Sequence, residues 1–262
     1  MEALSNYFLT LDALKNRIFI SNPPNAALLI WTNREFLPNI SGIAIVEQEG
    51  QTATIGISSN SLREILVNQL YGTVPVLHIV YKADMTSMLI NGTSFQLADA
   101  ANKIADSFHI TLGTAPAKAP NKPSQISDPF HIWSRDAFDG ITVMKTDIDF
   151  LFTRDGKISS VWEVKRSNVV RVGVWAPYVN PNTNNDINNY LMLMSFSNLL
   201  KCKMLTVHHE EMDSSVIFNG TERVDFFIYK PQPNHQPNLD TLHTFALRTS
   251  STTATINDIL NI

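Results

Sequence analysis

The segment that most constrains this chain is "DIDFLFTRDGKISSVWEVKRS", Asp147 to Ser167. Apolar and polar residues alternate on both sides of Arg154-Asp155-Gly156, which is the pattern of two strands joined by a tight turn. A hairpin this apolar needs a sheet around it and a layer over it. The stretch "DINNYLMLMSFSNLLK" supplies a helix that is apolar around most of its circumference, as a helix buried against a sheet must be. "KMLTVHH" and "RVDFFIYK" read as two further strands, and "DPFHIWSRDAF" as a short helix ahead of the hairpin. The reading is therefore α/β (α+β), with a mixed central sheet flanked by helices.

The N-terminal part mixes the same two periods. "NAALLIWT", "SGIAIVEQEGQTATIGIS" and "VPVLHIVYK" read as strands. "SNSLREILVNQLYG" and "SFQLADAANKIADSF" read as helices, the first with Ser61 as its expected cap. Between the parts lies "GTAPAKAPNKPSQISDP", which holds four of the thirteen prolines and almost no large apolar residue. Proline this dense excludes helix and central strand. The expected organisation is a smaller α+β module over 1–112, a Pro-rich linker over 113–129 and a second domain over 130–262. The 262 residues, 44% of them hydrophobic, are enough to bury two cores. A net charge of −4 carries no global basic signature, so any nucleic-acid contact must come from a local patch. Cys202 is the only cysteine, which rules out an internal disulfide and fits a reducing, cytoplasmic setting. The first twenty residues do not read as a secretory signal, and no apolar run has the length of a membrane span.

Strand side chains alternate faces. Asp147 and Asp149 therefore share one face of the first strand, and Glu163 and Lys165 share one face of the second. If the strands pair through the turn with the acids on the same sheet face, Asp149 and Glu163 can lie side by side, with Lys165 one pleat further on. Glu163 is the first Glu after Glu64 and lies among Val161, Trp162 and Val164. Two adjacent carboxylates in such surroundings need a proton or a cation. Hard Mg²⁺ takes carboxylate oxygens, and a neighbouring Lys can orient a water or stabilise a phosphate oxygen. The plain alternative is a surface hairpin with an ordinary Glu–Lys cross-strand pair.

Asp149 followed by Glu163-Val164-Lys165 resembles the motif of the PD-(D/E)xK nuclease superfamily. The resemblance covers the C-terminal half, and implies a restriction-endonuclease-like core in the order α-β-β-β-α-β, read here over about 125–230. It implies an Mg²⁺-dependent endonuclease (Mn²⁺ substituting) that hydrolyses double-stranded DNA, as a restriction or other defence nuclease does, and is expected by analogy to act as a homodimer. Asp149 and Glu163 would hold the metal, with the Val164 carbonyl completing the set, and Lys165 would act on the attacking water. Asp147, Arg166, Asp186 and Tyr190 are accessory candidates. A further acid on the first core helix would come from Asp128, Asp136 or Asp139, or from Glu64. The alternatives are a catalytically inactive nucleic-acid-binding or assembly module of the same fold, and an RNA-directed or effector-activated nuclease.

Other polar groupings read as structural. In "HHEE", His208 to Glu211, only alternate residues share a face, and zinc spacing is lacking. Cys202 reads as a packing residue and the Asn-rich loop 180–189 as turn chemistry, whereas Lys165, Arg166 and Arg171 form a modest basic run that either contacts phosphates or is a solvated strand end. No Gly-rich phosphate loop, G-x-S-x-G or paired C-x-x-C occurs, which argues against a nucleotide-hydrolysing motor, an α/β-hydrolase or a zinc module.

Overall fold

The structure, a computed structural model, describes residues 2–22, 25–51, 56–113, 128–166, 187–209, 218–232, 235–238, 240–241 and 252–261. It contains two mixed six-stranded sheets, each flanked by helices. No helix among the described residues is long and apolar enough to cross a membrane. The chain forms two compact units. One, here the hairpin unit, comprises Met1–Ile20, Ile55–Ile57 and Asp149–Ile262. The other, the companion unit, comprises Ser21–Thr54 and Ser58–Ile148.

The chain opens in the hairpin unit with α1 (Glu2–Thr10) and β1 (Ile18–Ile20). It then builds the companion unit from β2 (Ala27–Asn33), β3 (Gly42–Gln48), α2 (Ser59–Leu70), β4 (Val76–Tyr81), β5 (Ser87–Ile90), β6 (Thr93–Gln96), α3 (Leu97–Phe108), α4 (Pro129–Ala137) and β7 (Val143–Asp147). It returns with β8 (Phe150–Arg154), β9 (Lys157–Arg166), α5 (Ile187–Leu200), β10 (Lys203–His209), β11 (Arg223–Tyr229), β12 (Thr252–Thr255) and α6 (Ile256–Leu260).

In the companion unit the strand order is β6-β5-β4-β3-β2-β7. Only β3 and β4 pair in parallel, and α2 is the crossover between them. Leu62, Leu66 and Leu70 recur at helical spacing and are buried along α2. The cap of α2 is Ser58 rather than Ser61: the Ser58 hydroxyl accepts from the Ser61 N–H at 3.2 Å. Leu29, Trp31, Ala44, Ile79 and Tyr81 share a core with Ile104 and Phe108 of α3 and with Phe130 and Phe138. The Pro-rich run is therefore not a boundary between units, because α3 and α4 on either side of it contribute to one core. The Gly113 N–H donating to the Ala137 carbonyl at 2.7 Å draws its flanks together. Residues 114–127 of that run lie outside the described residues.

The first strand of the hairpin, read as running through both Asp147 and Asp149, is two strands in two sheets. β7 pairs with β2 from Asn33–Val143 to Leu29–Asp147. β8 instead pairs with β9, and with β1 on its other side. A full first strand of the hairpin would have needed one sheet to take both halves; β7 is claimed by the companion core. Residues 130–148 therefore belong to the companion unit, and residues 1–20 to the hairpin unit.

The hairpin unit has the order β1-β8-β9-β10-β11-β12, with β9 and β10 parallel and every other pair antiparallel. Asp155 and Gly156 close the β8–β9 turn with φ of 52° and 71°, the left-handed pair that a two-residue hairpin turn requires. One sheet face, carrying Ile18, Phe150, Phe152, Trp162, Leu205 and Val207, packs under Phe8 of α1 and Ile256 and Ile259 of α6. Phe8 meets Phe150, Phe152 and Trp162 edge-on, at 5.2, 5.6 and 5.9 Å between ring centroids. The other face carries Leu151, Val161, Met204 and Thr206 and faces α5, which is buried on nearly every side.

Candidate active site

Registry decides what the carboxyl end of β9 brings together. Phe150 pairs with Trp162, so one step further Asp149 falls opposite Glu163. Across the parallel pair Glu163 is level with Thr206, and Thr206 is level with Phe227 of β11. In the next row Lys165 is level with His208, and His208 with Asp225. Directly paired residues share a face, and neighbouring strands lie about 4.8 Å apart. Asp149, Glu163, Lys165, His208 and Asp225 thus occupy two adjoining rows on the α5 side of the sheet. They lie at the carboxyl ends of two parallel strands, where α/β sheets commonly bind ligands.

Four of these side chains are withdrawn from solvent. Asp149, His208 and Asp225 are buried, and Glu163 is half-buried. Asp149 closes the site structurally: its Oδ2 accepts the Val164 N–H at 2.7 Å. That bond ties the start of β8 to β9 beside Glu163. The His208 ring lies edge-on to Phe227, with centroids 5.4 Å apart.

Asp149 and Glu163 are brought together. Val164 is half-buried, its N–H committed to Asp149, and its side chain packs on the opposite face with the Phe150–Trp162 core. The backbones of Lys165 and Arg166 end β9, level with His208 and His209; the side chains of Lys165 and Arg166 lie outside the described residues. Asp186, Arg171 and Glu210 also lie outside them. Tyr190 is buried in the first turn of α5. Asp147 belongs to the companion sheet, paired with Leu29, so it does not share a strand face with Asp149 as alternation implied. Asp128, Asp136, Asp139 and Glu64 are companion-unit residues as well. Asp128 caps α4 through the Phe130 N–H and accepts the Tyr81 hydroxyl at 3.0 Å.

Sequence reasoning missed His208 and Asp225 as neighbours of the site. The available signal was the alternation in "KMLTVHH", which puts Met204, Thr206 and His208 on one face; the partner strand was not knowable. Among the described residues no three His, Cys, Asp or Glu side chains converge as a metal-binding group. The donor chemistry of Asp149 and Glu163, two carboxylates on paired strands, suits a hard divalent cation.

The companion unit holds two buried polar groupings that have no counterpart in the motif. His78 Nε2 lies 2.9 Å from Glu47 Oε1, and the Ser59 hydroxyl donates to Glu47 Oε2. The His78 contact holds the Glu47 carboxyl below its ordinary range, against the opposing effect of burial. The Lys145 ammonium donates to Ser134 Oγ and lies 5.5 Å over the Trp31 ring. The residue as a whole is half-buried, but its ammonium end is enclosed. Burial lowers its pKa to about 7, despite the Asp128 and Asp147 carboxylates. Cys202 is buried, which pushes its thiol up to about 12 and makes it a packing residue.

Comparison with family models, with curated proteins and with solved structures finds no match.

Proposed function

We propose that the hairpin unit is an Mg²⁺-dependent nuclease domain that hydrolyses phosphodiester bonds of DNA. The observation that carries this reading is the order of its elements. Helix α1, strands β1, β8 and β9, helix α5 and strand β10 run α-β-β-β-α-β, with the acids on the hairpin and β10 parallel to β9. This is the order that the Asp149…Glu163-Val164-Lys165 resemblance implies, but its first helix and strand come from residues 2–20. Residues of the companion unit are inserted in sequence between β1 and β8. The acid on the first helix is then Glu2, the only one in α1.

Asp149 and Glu163 would hold the metal, which when bound polarises the scissile phosphate and lowers the pKa of water. Lys165 orients the attacking water and offsets charge building on the non-bridging phosphate oxygens. Water adds across the P–O bond; the product strands end in a 5′-phosphate and a 3′-hydroxyl. His208, level with Lys165 across the β9–β10 pair, would help position that lysine. The companion unit would recognise substrate or mediate dimerisation.

A second reading, DNA binding without cleavage, draws on the Asp149 carboxylate, one oxygen of which is engaged by the Val164 N–H. One experiment separates the two. Duplex DNA, single-stranded DNA and RNA are incubated with the protein in Mg²⁺ or EDTA, beside Asp149→Ala and Lys165→Ala. Metal-dependent DNA cutting is expected, reduced at least about a hundredfold in both variants. Retained affinity without cutting of any substrate selects the binding module, and cutting unchanged by Lys165→Ala overturns the site assignment.

A further inference from the structure

The hairpin unit has a cavity of about 470 Å³ on the face of the sheet opposite the acids, over the amino ends of β9 and β10. This is within the range of small-molecule sites, roughly 300–1,000 Å³. Its floor is apolar and aromatic: Phe152 and Trp162, with ring centroids 4.6 Å apart, flanked by Leu205 and Ile259. Its wall is cationic. Arg17, Arg154 and Lys203 line it, and the Arg17 Nε–H donates to the Thr153 carbonyl at 3.2 Å, which holds that guanidinium at the site. The one acid in the wall, Asp12, is already bridged by Lys15 at 2.6 Å. A cation-rich wall in a chain of net charge −4 selects an anion. Ser159, Ser160, Asn257 and Asn261 also line it, each already engaged within the protein: the Ser159 hydroxyl donates to the Phe152 carbonyl, Ser160 Oγ accepts the Trp162 indole N–H, Asn257 Oδ1 accepts the Tyr7 hydroxyl and the Asn261 amide donates to the Asn257 carbonyl.

We propose that this cavity binds a nucleoside monophosphate, its base over the Phe152–Trp162 floor and its phosphate toward Arg17, Arg154 and Lys203. The inference stands apart from the nuclease reading, because the cavity shares no residue with the acid rows.

Calorimetric titration of the full-length chain with AMP, adenosine and inorganic phosphate, all in EDTA, tests it. AMP is expected to bind at least about tenfold tighter than either fragment. Lys203→Ala and Arg154→Ala should each weaken AMP about tenfold. Ala13→Trp, at an exposed position in the cavity wall, should abolish binding, with circular dichroism showing the variant folded; the charge reversal Arg154→Glu is the second variant should it unfold. Asp149→Ala should bind AMP as the unsubstituted chain does. Absent AMP binding, binding unchanged by both Lys203→Ala and Arg154→Glu, or binding lost in a folded Asp149→Ala overturns the proposal.

Discussion

Lys145 shows how far one side chain's chemistry depends on what the fold sets around it. In sequence it is an ordinary lysine in "VMKTD". In the structure β7 pairs it with Trp31, and α4 brings Ser134 to its ammonium. Its pKa of about 7 lies below the unfolded value of 10.5. Between these values the unfolded chain carries the proton and the folded chain does not. Stability therefore rises with pH across that window, and below pH 7 the cost of the buried charge is fully present. Urea unfolding of Lys145→Met against the unsubstituted chain should show the difference narrowing from pH 7 to 10, by on the order of 1 kcal/mol per pH unit. A difference that does not change with pH would show that the ammonium is not desolvated.

At the scale of elements, strands and helices were largely legible from period and punctuation. The turn at Asp155-Gly156, the all-round apolar α5 and the N-terminal helices fall where alternation and 3.6-residue spacing put them. What local pattern could not carry is close approach between elements. Gly42 opens β3, and a Cβ there would meet the ring of Phe108 from α3. Phe108 is fully buried and contacts the Trp31 ring, at 6.1 Å between centroids. Gly42→Ala should cost about 1–3 kcal/mol by thermal unfolding, while Gly42→Ala combined with Phe108→Leu should recover part of it. Equal losses in the single and double variants would mean that the ring is not the obstacle. The end of a strand is equally non-local: nothing between Val143 and Arg154 marks the change of sheet after Asp147, because both sheets accept the same residue types.

For the whole molecule, the chain reads as two consecutive halves but folds as one unit inserted into another. The fragment 130–262, which composition makes look like a domain, keeps α4 and β7 without the β2 edge they need. It also lacks α1 and β1. Loss of Phe8 from its three aromatic neighbours alone costs about 3–5 kcal/mol, against a total stability of roughly 5–15 kcal/mol. Expressed alone, this fragment should show no cooperative unfolding transition. A chain joining residues 1–20 to 149–262 through a short Gly-Ser linker should show one. A cooperative transition in the first fragment would refute the division.

The acids show the same limit. Period-two alternation put Asp149 and Glu163 on faces that could meet, but the turn register from Arg154–Lys157 alone would set Asp149 opposite Trp162, and it is the register shift between Phe152 and Thr153 that brings Glu163 there. Alternation could not supply His208 and Asp225, which reach the site through a parallel pairing across α5 and an antiparallel one beyond it. Nor could it supply α1, 139 residues before Asp149 at its nearer end (Thr10). By itself the sequence determined most of the longer strands and helices and where the hairpin turns, since these follow from local sterics and periodicity. The tertiary structure alone decided which strands are neighbours and which helix covers the hairpin. Those choices are settled by apolar surfaces far apart in the chain finding each other, and the energy of that burial is nearly indifferent to the order in which the chain supplies them.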